Sequence, residues 1–286
     1  MKWVAMLAVL ATLVVFGLAG LRWSDSRAET VLWTRFLEMS AGEAPAGFGV
    51  FDPVMVADLP EPARRMLTAM IAPGTRLYPV TIIEMDGEFS LGTWEEPEYV
   101  PMRARQIIAP PYGFVWRYEG GGSLPIVGSD AATETSSWSR FWLAGLVPVE
   151  REQGTTDHAR SAFGRLVAEA AIWAPASLLP GPDVMWEEVD NDTARFTIAR
   201  GDLIQSVEIT VGEDGLPKSL VMPLWSNINS EGAFRLQPFG ADVSEFEAFN
   251  GYLLPTRVDA GNLYGTPEYF PHYRARVTDI RFPGSQ

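Results

Sequence analysis

Residues 157–190, DHARSAFGRLVAEAAIWAPASLLPGPDVMWEEVD, read as an amphipathic helix, a proline-rich exit and a strand. Ala159, Ala162, Phe163, Leu166, Val167, Ala170, Trp173 and Ala174 recur at spacings of three and four, which puts them on one helical stripe. Thr156 or Asp157 is placed to cap the first turn, where free backbone N–H groups need an acceptor. Pro175 stops the helix near Ala174, because a residue before proline avoids the α region. Glu169 sits at the edge of the stripe, one turn from Arg165 and Trp173. Two readings of it stand. It pairs with Arg165 on an exposed face, or it is a carboxylate at the mouth of a cavity under the helix.

Nearly everything else beyond residue 80 reads as strand and tight turn. Asp86-Gly87, Asp214-Gly215 and Asn250-Gly251 each divide two apolar runs and signal hairpins. Pro101–Ala109 alternates, with Met102, Ala104 and Gln106 on one face and Arg103, Arg105 and Ile107 on the other. Tyr112–Glu119, Thr135–Val149, Val184–Val189, Ala194–Ala199, Leu203–Val211 and His272–Phe282 bring the count to about ten strands. One long helix among so many strands must cover a sheet face. The fold class expected is therefore mainly β (α+β): a curved antiparallel meander or half-barrel, with helices on its concave face and one N-terminal transmembrane helix. Asp58–Ala72, with proline in its first turn and Ala63, Met66, Leu67, Met70 and Ile71 on one side, predicts the second covering helix.

Trp3–Leu21 is a run of 19 residues without charge, roughly 28 Å as a helix, close to the thickness of a bilayer's hydrocarbon. The run is long for a signal peptide, and the small residues at Ser26-Arg27-Ala28 lie well past its end. An uncleaved anchor is the preferred reading and a cleaved signal peptide the other. Either places the rest of the chain outside the cytoplasm, at the inner (plasma) membrane for a single-pass anchor. The expected organisation is an anchor over 1–28, a short helix and linker over 29–57, and a β-rich domain over 58–286.

The chain carries 22 basic and 36 acidic residues, a net charge of −14. An acidic surface is repelled by phosphates, which argues against nucleic-acid binding. No cysteine is present, so disulfides, thiolate metal sites and cysteine nucleophiles are excluded. The two histidines, His158 and His272, share no metal-ligand spacing, and no metal or cofactor is implied. His158, in a helix's first turn, reads as solvated. Asp190-Asn191-Asp192 reads as a polar turn, since the rest of a calcium loop is missing. No Gly-x-Ser-x-Gly occurs, and Ser136, Ser137 and Ser139 beside Trp138 read as a strand's polar face. A Ser–His–Asp set drawn from distant segments stays open. Arg103 with Arg105, and Arg274 with Arg276, offer guanidinium forks for internal carboxylates or for a ligand headgroup.

The segments LPEPARRML (59–67), RARQ (103–106), YGFVWRY (112–118), RLVAEAAIWAPASLL (165–179), VMWEEVDNDTARFTI (184–198) and GYLLPTRVDAGNLYG (251–265) together resemble a bacterial family of membrane-anchored envelope proteins known only as a domain of unknown function. The resemblance covers roughly residues 58–283 and implies no catalytic residue. The architecture is also similar, as fold alone, to the lipoprotein-carrier half-barrels of the bacterial envelope. The function expected is binding of a hydrophobic or lipid-like ligand on the concave face. Phe114, Trp116, Trp142, Phe163, Leu166 and Trp173 are the expected lining, and Arg105 and Glu169 the polar contacts. An envelope hydrolase and a structural component of an envelope complex are the alternatives.

Overall fold

The computed structural model describes residues 2–41 and 49–284. Among the described residues, three α-helices, α1 (Lys2–Ala41), α2 (Glu61–Met70) and α3 (Thr156–Trp173), accompany thirteen strands. The strands are β1 (Thr81–Ser90), β2 (Tyr99–Ala109), β3 (Gly113–Gly120), β4 (Ile126–Thr133), β5 (Ser137–Leu143), β6 (Val147–Gln153), β7 (Val184–Glu188), β8 (Thr193–Arg200), β9 (Leu203–Val211), β10 (Pro217–Ser226), β11 (Arg235–Phe249), β12 (Tyr252–Asn262) and β13 (Tyr273–Arg281). They form one antiparallel sheet in the order β6-β5-β4-β3-β2-β1-β13-β12-β11-β10-β9-β8-β7. The chain thus begins at the centre, meanders to one edge, crosses to the far edge through α3, and meanders back to pair β13 with β1.

That crossing bends the sheet. Seven strand spacings separate β4 from β10, roughly 34 Å if the sheet were flat. A helix is only about 10–12 Å across, yet α3 touches both strands. The sheet therefore wraps around α3. The helix is small along its buried side, with Ala162, Gly164, Ala168, Ala170 and Ala171 buried. A side chain added at Gly164 would meet the ends of the Gln205 and Leu224 side chains, both at 2.8 Å, so glycine there gives room for these two side chains of β9 and β10 against the helix. Thr155, one residue before the positions expected, caps the helix by accepting from the His158 N–H at 3.1 Å. α2 buries Met66, Leu67 and Met70 in the same concave core.

Three differences from the expected strands have local causes. Asp86-Gly87 is no turn: β1 runs straight through it, and Gly87 is needed because a Cβ there would strike the Arg274 carbonyl of β13. Asn250-Gly251 is a turn, with both residues at positive φ (48° and 90°), as a two-residue type I′ hairpin requires. β4 and the first half of β11 add to the expected strands: Gly128-Ser129-Asp130, and Pro238 and Gly240 on either side of Phe239, weaken the strand signal there. Thirteen strands therefore stand where about ten were expected.

α1 is unbroken through residue 28, where a boundary between anchor and domain was expected. Its first half is exposed on all sides and long and apolar enough to cross a membrane. Its second half lies on the convex face, where Leu32, Trp33 and Phe36 bury against Val80, Ile82, Ile107, Val115, Ala131 and Trp138. Arg22, Asp25, Arg27 and Glu29 do not end the helix, because Asp25 and Glu29 find ion-pair partners on the sheet and Arg22 lies over Trp142. Asp25 pairs with Arg140 at 3.3 Å and with Arg151, and Glu29 pairs with Arg117 at 2.6 Å. Residues 42–48 of the helix and linker expected over 29–57 lie outside the described residues. Asp25→Ala leaves two arginines facing each other with no counter-ion, and the expected loss is about 2 kcal/mol in a denaturant titration of the full chain in detergent. An unchanged midpoint would show that this half of α1 contributes little to the fold.

Candidate functional site

The helix does not fill the concavity. A cavity of about 360 Å³ runs along one stripe of α3, formed by His158, Ser161, Ala162, Arg165, Ala168, Glu169, Ile172 and Trp173. The spacing of three and four that defines the helix thus also lays one wall along the cavity for its full length. Leu220, Met222 and Leu224 of β10, Phe239 and Ala241 of β11, and Val258 and Ala260 of β12 form an apolar wall opposite. These residues alternate along their strands, so each contributes every second side chain. Phe89, Trp116, Phe141 and Tyr273 add an aromatic corner, with Trp116 5.3 Å from Tyr118 and 6.3 Å from both Phe141 and Tyr273 between ring centroids.

One side of the cavity is polar. Arg165 donates to Asp130 at 2.6 Å and to Glu169 at 2.7 Å, and Gln106 donates to the other oxygen of Glu169. The Arg165 guanidinium stacks over Phe114 and Trp116, at 5.0 and 4.8 Å from their centroids. Burial alone would depress Arg165, but Glu169 and Asp130 more than reverse that and hold its proton firmly. Burial pushes Glu169 up even though Arg165 and Gln106 donate to it. Glu150, on the edge strand β6, is also pushed up, first by burial and then by Asp130 and Glu152. Burial raises the Tyr273 phenol as well.

Ser139 Oγ bridges Asp130 Oδ1 and His158 Nε2, at 3.0 Å from each. The carboxylate can only accept, so the hydroxyl proton points at Asp130. His158 then presents Nε2–H to Ser139, an assignment fixed by the bonding pattern. Its Nδ1 is buried without a protein partner among the described residues, as are Trp116 Nε1 and Gln106 Oε1. His158 is thus buried rather than solvated.

The eight expected site residues separate into three groups. Trp116, Glu169 and Trp173 line the cavity. Phe114, Phe163 and Leu166 are packed in the concave core beside it. Arg105 and Trp142 lie on the convex face instead. Arg105 follows the alternation of β2 and stands over Trp33 of α1 at 5.0 Å. Trp142 follows the unbroken alternation of β5, with Ser139 and Phe141 on the concave side and Trp138, Arg140 and Trp142 on the convex side, so it lies under Arg22 and Arg151. The exposed-pair reading of Arg165 and Glu169 gives way to a partly buried triad with Asp130. Arg103, Arg274 and Arg276 pair with Asp86, Glu88 and Glu245 on the outside of the sheet.

The architecture is thus a thirteen-stranded half-barrel wrapped around a helix, with a mostly apolar cavity left between them. The chain belongs to DUF6544, a family of unknown function whose pattern matches residues 49–274. Among solved structures it is similar to a domain from Vibrio parahaemolyticus named for outer membrane lipoprotein sorting, at 10% identity and a TM-score of 0.37, over 72% of this chain and 86% of that one. It is also similar to a DUF1329 family protein from Desulfovibrio piger ATCC 29098, at 10% identity and a TM-score of 0.42, over 79% and 92% of the two chains. No curated protein matches the chain.

Proposed function

We propose that this protein is a membrane-anchored, extracytoplasmic binding protein that holds the apolar part of a lipid-like amphiphile between α3 and the sheet. The observation that carries the reading is the cavity itself: apolar walls from β10, β11 and β12, with one polar flank built on Arg165. Its volume lies near the low end of the range for small-molecule sites, about 300–1,000 Å³. That suits a single chain better than a two-chain lipid. The exposed apolar half of α1 supports an anchor at the plasma membrane with the domain outside the cytoplasm.

The test is native mass spectrometry of gently purified protein, followed by titration of the delipidated form with single-chain amphiphiles. Stoichiometric uptake is expected. Ala241→Phe projects a ring into the cavity and should weaken uptake by about tenfold or more, about 1.4 kcal/mol, while Arg105→Ala on the far face should leave it unchanged. An apo mass with no uptake, or an Ala241→Phe protein that binds as well as the parent, would overturn the reading.

The Ser139–His158–Asp130 cluster favours a second reading, an envelope hydrolase. Its bonding polarity runs against nucleophile activation. A catalytic histidine accepts the serine proton and is steadied through its other nitrogen. Here His158 donates to Ser139, Asp130 sits on the serine side 3.9 Å from Nε2, and Nδ1 has no partner. A fluorophosphonate probe is therefore expected to leave Ser139 unlabelled. Labelling lost in Ser139→Ala would favour the hydrolase.

A further inference from the structure

We propose that the open end of the cavity faces the bilayer and that the loops around it rest in the surface of a zwitterionic membrane, so that ligand passes between membrane and cavity without crossing water. This rests on α1 being an uncleaved anchor and on the cavity being a ligand site. The first argument is the register of α1 along the sheet. Arg22 lies 5.9 Å from the Trp142 ring, Asp25 pairs with Arg140, and Glu29 pairs with Arg117. Farther along, Trp33 lies under Arg117 at 4.1 Å, Phe36 stands against Gly113, and the Ser40 carbonyl lies beside Gly284. The helix therefore runs antiparallel to β3 and β5. Its apolar half leaves the sheet beyond their last residues, Gly120 and Leu143. Because α1 does not break, this geometry fixes which end of the domain meets the membrane. Forty residues make roughly 60 Å of helix, about half in the bilayer and half along the sheet.

The second argument is where the cavity opens. In an antiparallel sheet, the end that holds the last residue of β3 also holds the last residues of β1, β10 and β12 and the first of β11 and β13. Glu152, near the close of β6, borders the cavity from the other end, and the remaining cavity residues nearest strand ends belong to this one. They are Phe89 at the close of β1, His272 and Tyr273 at the start of β13, and Ser226, Ile228 and Phe234 around the β10–β11 connection.

The third argument is what the loops expose there. Leu91 and Trp94 between β1 and β2, Leu124 between β3 and β4, and Ile228 between β10 and β11 are all exposed. Four large apolar side chains on three separate loops at this end of the sheet leave about half or more of their surface open. A tryptophan among them suits the interface between hydrocarbon and water. Glu95, Glu96 and Glu98 share the first of these loops. They would be repelled by anionic headgroups, which is why the surface inferred is zwitterionic.

The absence of cysteine makes single-site labelling clean. Trp94→Cys, Leu124→Cys and Ile228→Cys mark the mouth, and Glu134→Cys and Asp214→Cys mark turns at the opposite ends of strands. Each is made in the full chain, labelled with an environment-sensitive fluorophore and reconstituted in phosphatidylcholine nanodiscs with or without nitroxide-bearing lipid. The mouth labels should shift to the blue and lose more than half of their emission to the nitroxide, while the opposite labels keep theirs. Adding phosphatidylserine should weaken the quenching. Equal emission from both groups, or quenching confined to Glu134→Cys and Asp214→Cys, would overturn the proposal. Amphiphile uptake measured on the same samples separates the two readings. Uptake without quenching would remove the orientation and leave the ligand site standing. Quenching without uptake would remove the ligand site and leave the orientation.

Discussion

Arg165→Met is expected to destabilise the protein by about 3 kcal/mol at neutral pH, the largest effect of any single change at the cavity that preserves side-chain bulk. The guanidinium is the shared counter-ion of Asp130 and Glu169, both of which are mostly buried. Methionine keeps much of the stem that packs near Phe114 and Trp116 but leaves the two carboxylates facing each other. Removing one partner of a buried ionic group is costly because the charge left behind has lost its water as well. The sign of the pH response follows. Burial already pushes Glu169 up in the native protein. Without Arg165 its folded-state value rises further, so the folded protein takes a proton more readily than the unfolded chain. Stability lost at neutral pH should then be regained as the pH falls towards the ordinary glutamate range. Equilibrium denaturation of both proteins at neutral and mildly acidic pH measures this. Arg165→Met with Glu169→Gln and Asp130→Asn should recover most of the loss at neutral pH. A deficit that is independent of pH and untouched by the added changes would show that lost packing, not stranded charge, is responsible.

The same residues show what the sequence could disclose. The stripe from Ala162 to Trp173 was legible because a helix against a sheet must repeat its apolar positions every three or four residues. The cavity wall it forms carries Glu169 and Trp173 for the same reason. Trp116 was legible as an aromatic on a strongly β segment. The Ser139–His158–Asp130 contact was not, because its members come from β5, α3 and β4, and β4 itself is too rich in small and polar residues to announce a strand. The sides of Arg105 and Trp142 turned on which face of the sheet α3 would cover. Strict alternation decides that for both residues, but only once α3 is placed. In the sequence the charges from Arg22 to Glu29 look like the end of a span, although α1 runs on through them. Seen with the sheet, they are the contacts that continue it: a helix that would be polar and unsupported in solution is held by Arg117, Arg140 and Arg151.

His272 should make the protein sensitive to mild acid. It stands just before β13 with Phe89, Phe239 and Phe270 around it, at 5.6, 6.3 and 6.3 Å between ring centroids and near perpendicular to each. Burial among these rings, with no carboxylate to offset it, lowers its pKa to about 4. An unfolded histidine titrates near 6.5. Between those values the unfolded chain binds a proton that the folded chain refuses, so stability falls as the pH falls. The loss should reach about 3 kcal/mol by pH 4 and be absent above pH 7. Glu150 and Glu169, whose values are raised, act in the opposite sense over part of the same range. The wild-type curve is therefore a sum, and the histidine's share has to be isolated. His272→Phe keeps a ring in the aromatic cluster and removes the titration. Denaturant midpoints of the two proteins should run parallel above pH 7 and separate steadily below pH 6, with the variant the more stable in acid. If the two curves stay parallel down to pH 4, His272 is reaching water through the mouth of the cavity, and the aromatic corner around it is open rather than closed.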